Sequence, residues 1–136
     1  MKYLLDVNAL VALGVEKHLF HERVALWVGA LAEKGIPELA TCSITELGFV
    51  RVLSQAKQYG FTFPDARALL LRLRAATDLN FALIPDNHDV SYLPNWVGHP
   101  AQLTDGHLAE LARTNGAVLA TLDRKIPGAY LIPDKR

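Results

Sequence analysis

Short apolar runs alternate along this chain with longer stretches in which apolar residues recur every three or four positions. Tyr3-Leu4-Leu5, Leu39-Ala40-Thr41, Phe81-Ala82-Leu83-Ile84 and Ala117 to Leu122 are the runs, and each reads as a buried strand. Phe20 to Ala32 has helical spacing, with Val24, Val28 and Leu31 on one side, and Gly35-Ile36-Pro37 stops it. A second helix is predicted from Ser43 to about Gln55. A third runs from Pro64 to Thr77, where proline in the first turn loses nothing because its missing N–H would have no partner there. A fourth runs from Leu103 to Thr114, ended by Asn115-Gly116. Gln58-Tyr59-Gly60 reads as a turn, and Pro85 to Pro100 as an irregular segment with room for one short helical turn. Strands alternating with helices predict an α/β fold, a three-layer α/β/α arrangement around a short, mostly parallel sheet. No repeat, low-complexity tract or linker interrupts the pattern, so a single domain over 1–136 is expected.

Charge and composition narrow the classes. Lys plus Arg and Asp plus Glu both number 14, so the net charge is zero and no bulk basic field draws in nucleic acid. Any such binding must come from local patches. Cys42 is the only cysteine, which rules out an internal disulfide and fits a reducing, cytoplasmic setting. The opening MKYLLDVNAL is not expected to be a signal peptide, because Asp6 and Asn8 break its apolar region. No apolar run approaches the ~20 residues of a membrane span. Hydrophobic residues make up 51%, high enough to suggest an apolar face turned to a subunit or partner.

The chemistry lies in four acids. Asp6 and Asp123 each follow an apolar strand, and in open parallel sheets ligands bind beyond the carboxyl ends of the strands. Glu46 and Asp105 lie just inside helices. Ser43-Ile44-Thr45-Glu46 matches a capping box, so Glu46 could simply cap its own helix. Phe49, Val50 and Leu53 at offsets three, four and seven instead place Glu46 on a stripe facing the core, although Leu47 and Val52 widen that stripe. Asp105 repeats the offsets with Leu108, Ala109 and Ala112. Any one of these acids alone is explained by a cap or a helix dipole. Four converging on one sheet edge would repel one another unless a cation sat among them. A hard divalent ion with oxygen ligands, Mg²⁺ or Mn²⁺, is the natural occupant, and such a site suits phosphodiester hydrolysis.

Those residues carry a resemblance. LLDVNALVAL resembles the opening strand, acid and first helix of PIN-domain ribonucleases, closest to the VapC toxins of bacterial toxin–antitoxin pairs. CSITELGFVRVL resembles the second motif of that family, and GHPAQLTDGHLAELARTNGAVLATLDRKI its third and fourth in order and spacing. Val7 departs from the threonine common in the family between the first Asp and Asn. The resemblance implies Asp6, Glu46, Asp105 and Asp123 as the catalytic, metal-binding acids of an endoribonuclease that uses a metal-activated water and leaves a 5′-phosphate and a 3′-hydroxyl. It implies RNA as substrate, a small cognate antitoxin protein as partner, and a homodimer.

Supporting roles are expected for Asn8, by hydrogen-bonding a neighbouring carboxylate, and for Thr121, which shares a strand face with Asp123. Ser43 and Thr104 would hold helix starts or a metal-bound water, with plain cap chemistry the alternative. Arg51, Arg124 and Lys125 are candidate phosphate contacts. The five histidines show no i, i+4 metal pair and read as surface or loop residues, with His99 or His107 the candidates to approach substrate. ARALLLRLRAA (66–76) reads as core and interface rather than an RNA stripe. Two alternatives stand beside the nuclease: an RNA-binding PIN module that does not cut, and a receiver-like Mg-binding phosphoacceptor domain.

Overall fold

The apolar run at the start of the chain becomes the middle of the molecule. In the computed structural model, which describes residues 1–134, β1 (Lys2–Leu5) is the central strand of a five-stranded sheet. β2 (Glu38–Thr41) and β3 (Phe81–Leu83) lie on one side of it, β4 (Ala117–Thr121) and β5 (Tyr130–Leu131) on the other, giving the order β3-β2-β1-β4-β5. The sheet was expected to be mostly parallel; every pairing in it is parallel. A receiver-like doubly wound sheet runs 2-1-3-4-5, so the observed order separates this chain from that alternative.

Successive β1 side chains point to opposite faces. Leu5 packs with residues of α1 (Val7–Gly14), α2 (His21–Glu33), α3 (Ser43–Gln55) and α4 (Phe63–Ala75), among them Leu10, Val24, Trp27, Phe49, Leu53 and Leu70. Leu4 packs on the other face with Ala40, Leu119, Ile126 and, from α5 (Leu103–Thr114), Leu108 and Leu111. These are the three layers. The long helices α3 and α5 fall where their periodicity and end signals place them. The segment from 85 to 100 is irregular apart from a 3-10 turn at Val90–Tyr92, with another at Pro100–Gln102 leading into α5. The domain boundary expected at 1–136 includes residues 135 and 136, which lie outside the described residues.

Two elements escape periodicity. α1 is only eight residues long and carries Ala9-Leu10-Val11-Ala12 as an unbroken buried run, too short and too uniformly apolar for its helical period to stand out in the sequence. β5 has two residues and no alternation to detect. α1 crosses α3 closely at Gly48, where a Cβ would lie 2.5 Å from Val7 Cγ2. Val7, the position that departs from the family's usual threonine, is thus a packing residue against the helix that bears Glu46. Among the described residues, no helix is long and apolar enough to cross a membrane.

The sheet order fixes where chemistry can gather. β1 has β2 on one flank and β4 on the other, so the order turns back there and opens a crevice at the carboxyl ends of β1 and β4. Asp6 directly follows β1, and Asp123 lies two residues beyond β4.

Candidate active site

Asp6 is held through both of its carboxyl oxygens. It is the N-cap of α1, with extended backbone, and its Oδ1 accepts the Val7 N–H at 2.9 Å. Its Oδ2 accepts the Thr121 hydroxyl at 2.7 Å. The residue is 8% exposed. Burial pushes its carboxyl above the ordinary value, the bonds from Thr121 and Val7 pull it back, and the charge of Asp123 pushes it up again.

Thr121 is the hub of this corner. It is fully buried. While its hydroxyl donates to Asp6, its oxygen accepts from the Asp123 N–H at 3.0 Å and from Asn8 Nδ2 at 3.3 Å. Asn8 closes the circuit, its Oδ1 accepting the Leu122 N–H at 3.1 Å. Asn8 was expected to bond a carboxylate and does not. It bonds Thr121 and the backbone, because the start of α1 lies directly against the end of β4. Asp123 turns the chain, its Oδ1 accepting the Lys125 N–H at 2.9 Å. Thr121→Val should therefore raise the Asp6 pKa further, since burial stays and one stabilising bond goes. Carbon-13 NMR titration of the carboxyl reads this directly; an unmoved Asp6 would mean the hydroxyl is not its partner.

Asp105, in the first turn of α5, completes the group. Burial raises its pKa most, then Asp6, then Asp123. The three aspartates and Asn8 line one cavity of about 380 Å³ at the carboxyl edge, shared with His18 and Tyr59. Nothing in the sequence marked His18 or Tyr59, since only the tertiary fold brings them there.

Glu46 stands apart. Its Oε2 accepts the Thr41 hydroxyl at 2.6 Å and pairs with Arg74 Nε at 3.3 Å, and its Oε1 faces Arg74 Nη1 at 3.5 Å. The capping box expected at Ser43–Glu46 is shifted by one. Cys42 is the N-cap, and Thr45 Oγ1 accepts its N–H at 3.0 Å, which leaves Glu46 free to reach Thr41 and α4. Arg74, inside the 66–76 segment expected to be core and interface, is a charged partner of Glu46 that no local sequence signal marks. Ser43 is exposed. Thr104 lines a separate cavity of about 260 Å³ with His88 and His107, and the cap of α5 is Gln102. Arg51, Arg124 and Lys125 are exposed, and none lines the acidic cavity. His107 pairs with Asp86 at 2.5 Å, and His99 is the N-cap residue of the 3-10 turn at Pro100–Gln102. Burial pushes the Cys42 thiol up, so it is not an activated nucleophile.

The donor set suits a hard cation, since three mutually repelling carboxylates offer only oxygen. Among the described residues no three acidic, histidine or cysteine side chains are spaced to enclose one ion by themselves. Mg²⁺ is commonly held by one or two carboxylates, with waters and phosphates supplying the rest, and this open cluster fits that mode.

Comparison with known proteins settles the family. Ribonuclease VapC38 of Mycobacterium tuberculosis is 42% identical over 140 residues, covering 98% of this chain and 91% of that protein. The chain belongs to the VapC ribonuclease family. Ribonuclease VapC44 of the same organism is 36% identical and covers 95% of this chain and 94% of its own. No protein-family model matches the sequence. Two solved structures share the fold: PAE2754 from Pyrobaculum aerophilum, with a TM-score of 0.63 at 22% identity over 97% of this chain and 84% of that one, and VapBC2 from Rickettsia felis bound to a promoter DNA fragment, with 0.62 at 17% over 96% and 97%. The VapC fold here is the PIN-like α/β fold that the resemblance implies.

Proposed function

We propose that this VapC-family chain is a metal-dependent endoribonuclease that acts as the toxin of a type II toxin–antitoxin pair in the cytoplasm. The observation that carries the reading is the joining of Asp6, Asp105 and Asp123 in one cavity at the sheet's switch point, in a chain whose relatives are named ribonucleases. These three are the proposed catalytic residues and ligands for Mg²⁺ or Mn²⁺, and Glu46, which Thr41 and Arg74 engage beside the cavity rather than in it, is proposed as an outer acid of the same site. When bound, such an ion neutralises phosphodiester charge and lowers the pKa of a coordinated water.

The chain's own groups divide the remaining work. Thr121 and the Val7 N–H fix both oxygens of Asp6, so its carboxylate is presented in one orientation. Asp105 and Asp123 face it from α5 and the β4 loop. Arg74 neutralises Glu46 and keeps it on the α3–α4 side of the site. Arg51, Arg124 and Lys125 are proposed to meet the RNA backbone. The partner surface is proposed on α3 and α4, where Leu47, Phe63 and Leu71 are more than half exposed. It would serve the antitoxin or a second copy of the chain.

Purified, partner-free protein should cut cellular RNA with Mg²⁺ or Mn²⁺ and stop with EDTA, and sequencing of RNA 5′ ends after brief induction would locate the cuts. RNA that is bound but left intact under all these conditions would replace the nuclease with a non-cleaving RNA-binding module.

A further inference from the structure

The lining of the acidic cavity is not all acid. His18, from the connection between α1 and α2, and Tyr59, from the 3-10 turn at Lys57–Tyr59 after α3, share it with the three aspartates, and the chemistry proposed above uses neither. The two rings are nearly parallel, with planes 11° apart and centroids at 6.2 Å. Both are half-buried. Each is held in place. His18 Nδ1 accepts the Phe20 N–H at 3.0 Å, and the turn bearing Tyr59 is closed by Gly60 in the left-handed region at φ 66°. Val11 and Val52 line the same cavity, so aromatic and aliphatic side chains stand there beside the acidic ones. Burial, then the neighbouring His21, also holds His18 below the ordinary imidazole value. Phe20, 39% exposed, extends the aromatic surface with its ring centroid 6.0 Å from that of His18.

A surface of this kind suits one part of an RNA strand. Phosphate needs cations or N–H donors, whereas an unpaired base offers a π-face that stacks on aromatic side chains and imidazole. We propose that His18 and Tyr59 form a nucleobase subsite, stacking an unpaired base adjacent to the phosphodiester presented to Asp6, Asp105 and Asp123. The subsite would select single-stranded or splayed RNA over a duplex, whose bases are already stacked. The inference rests on the nuclease reading for its substrate, but it can be tested apart from cleavage.

The probes are a short fluorescein-labelled oligoadenylate and the same ribose–phosphate chain with its central bases removed, titrated by anisotropy in EDTA so that neither is cut. Wild type should prefer the base-bearing strand by roughly 5- to 150-fold, the worth of stacking one base. Tyr59→Phe should keep that preference. Tyr59→Leu, which retains apolar bulk against the core, and His18→Ala should lose most of it. Melting curves identify any variant that has not folded, and His18, in a surface connection, gives a second reading that does not depend on Tyr59. A pair that merely pinned the α1–α2 connection would alter stability and leave the preference for bases unchanged. Wild type indifferent to base removal, Tyr59→Phe behaving like Tyr59→Leu, or a preference that persists in both Tyr59→Leu and His18→Ala would each overturn the subsite. Cleavage with Mg²⁺ is assayed separately. RNA cut normally without a base preference removes the subsite alone, while a base preference without cleavage removes the nuclease and leaves the subsite.

Discussion

Asp105→Asn, Asp123→Asn and Asp6→Asn are each expected to lose most RNA cleavage while the protein stays folded. Asparagine keeps the shape and removes the charge. At Asp6 it also retains a carbonyl oxygen for the Val7 N–H, so the start of α1 should survive. The expected loss is on the order of 10²- to 10³-fold in initial rate, the scale on which one preorganised electrostatic group contributes to an active site. Asp89→Asn is the control, because Asp89 caps the exposed 3-10 turn at Val90–Tyr92 and does not line the cavity. Its rate should match wild type. Wild-type cleavage by any of the three cavity variants would remove that residue from the proposed site.

The same substitutions should act on stability in the opposite sense, and magnesium should reverse the order. Asp6 and Asp105 both titrate above the ordinary carboxylate value of 3.8, for which burial is the leading cause. Between that value and the raised one, the folded protein holds more protons than the unfolded chain. Stability therefore falls as pH rises through this window, and above it the full electrostatic cost is present. In EDTA at neutral pH, Asp105→Asn escapes its share of that cost and should melt at or above wild type. Below the ordinary carboxylate pKa the difference should vanish, because both forms are then uncharged at that position. With Mg²⁺ at about 100 Kd, wild type gains about 2.7 kcal/mol by mass action, and the variant, binding the ion more weakly, gains less. For a domain of this size that is several degrees or more in Tm. Melting curves with EDTA and with Mg²⁺ across pH would show it. Equal magnesium responses in wild type and all three variants would mean that the aspartates do not share an ion.

What could be read in advance depended on whether the signal was local. α5 was legible to the residue, because an apolar repeat runs between Leu103 and a stop at Asn115-Gly116. The sheet edge was legible through Asp6 and Asp123, since each follows a strand and strand ends are where open sheets bind ligands. The orientation of Asp105 followed from its offsets to Leu108 and Ala112, both of which are buried. Contacts made by distant segments were not legible. Glu46 meets Arg74 across 28 residues, and Asn8 meets Thr121 across 113. Periodicity reports which face of a helix is apolar, but it does not say which polar groups from elsewhere will be waiting there. The shift of the α3 cap from Ser43 to Cys42 has a related cause. A buried cysteine at the end of β2 can occupy the cap position because Thr45 satisfies its N–H, so the expected serine is not needed.

The pairing of the first strand with β4 bears on how the protein comes into being. The Thr121 hydroxyl that holds Asp6 lies 115 residues further along the chain, and Leu5 pairs with Ala120 over the same span. A ribosome adds residues from the N-terminus, so Asp6 emerges long before Thr121 and waits while the 115 residues up to Thr121 are made. Until β4 has cleared the exit tunnel, the central strand lacks one neighbour and the crevice has no second wall. Closing so long a loop is also slow compared with forming the helices in between. A nascent or prematurely terminated chain that stops short of β4 thus carries Asp6, Glu46 and Asp105 without Thr121 or Asp123, and the proposed ribonuclease cannot attack RNA near the machinery that is making it until β4 and Asp123 have emerged.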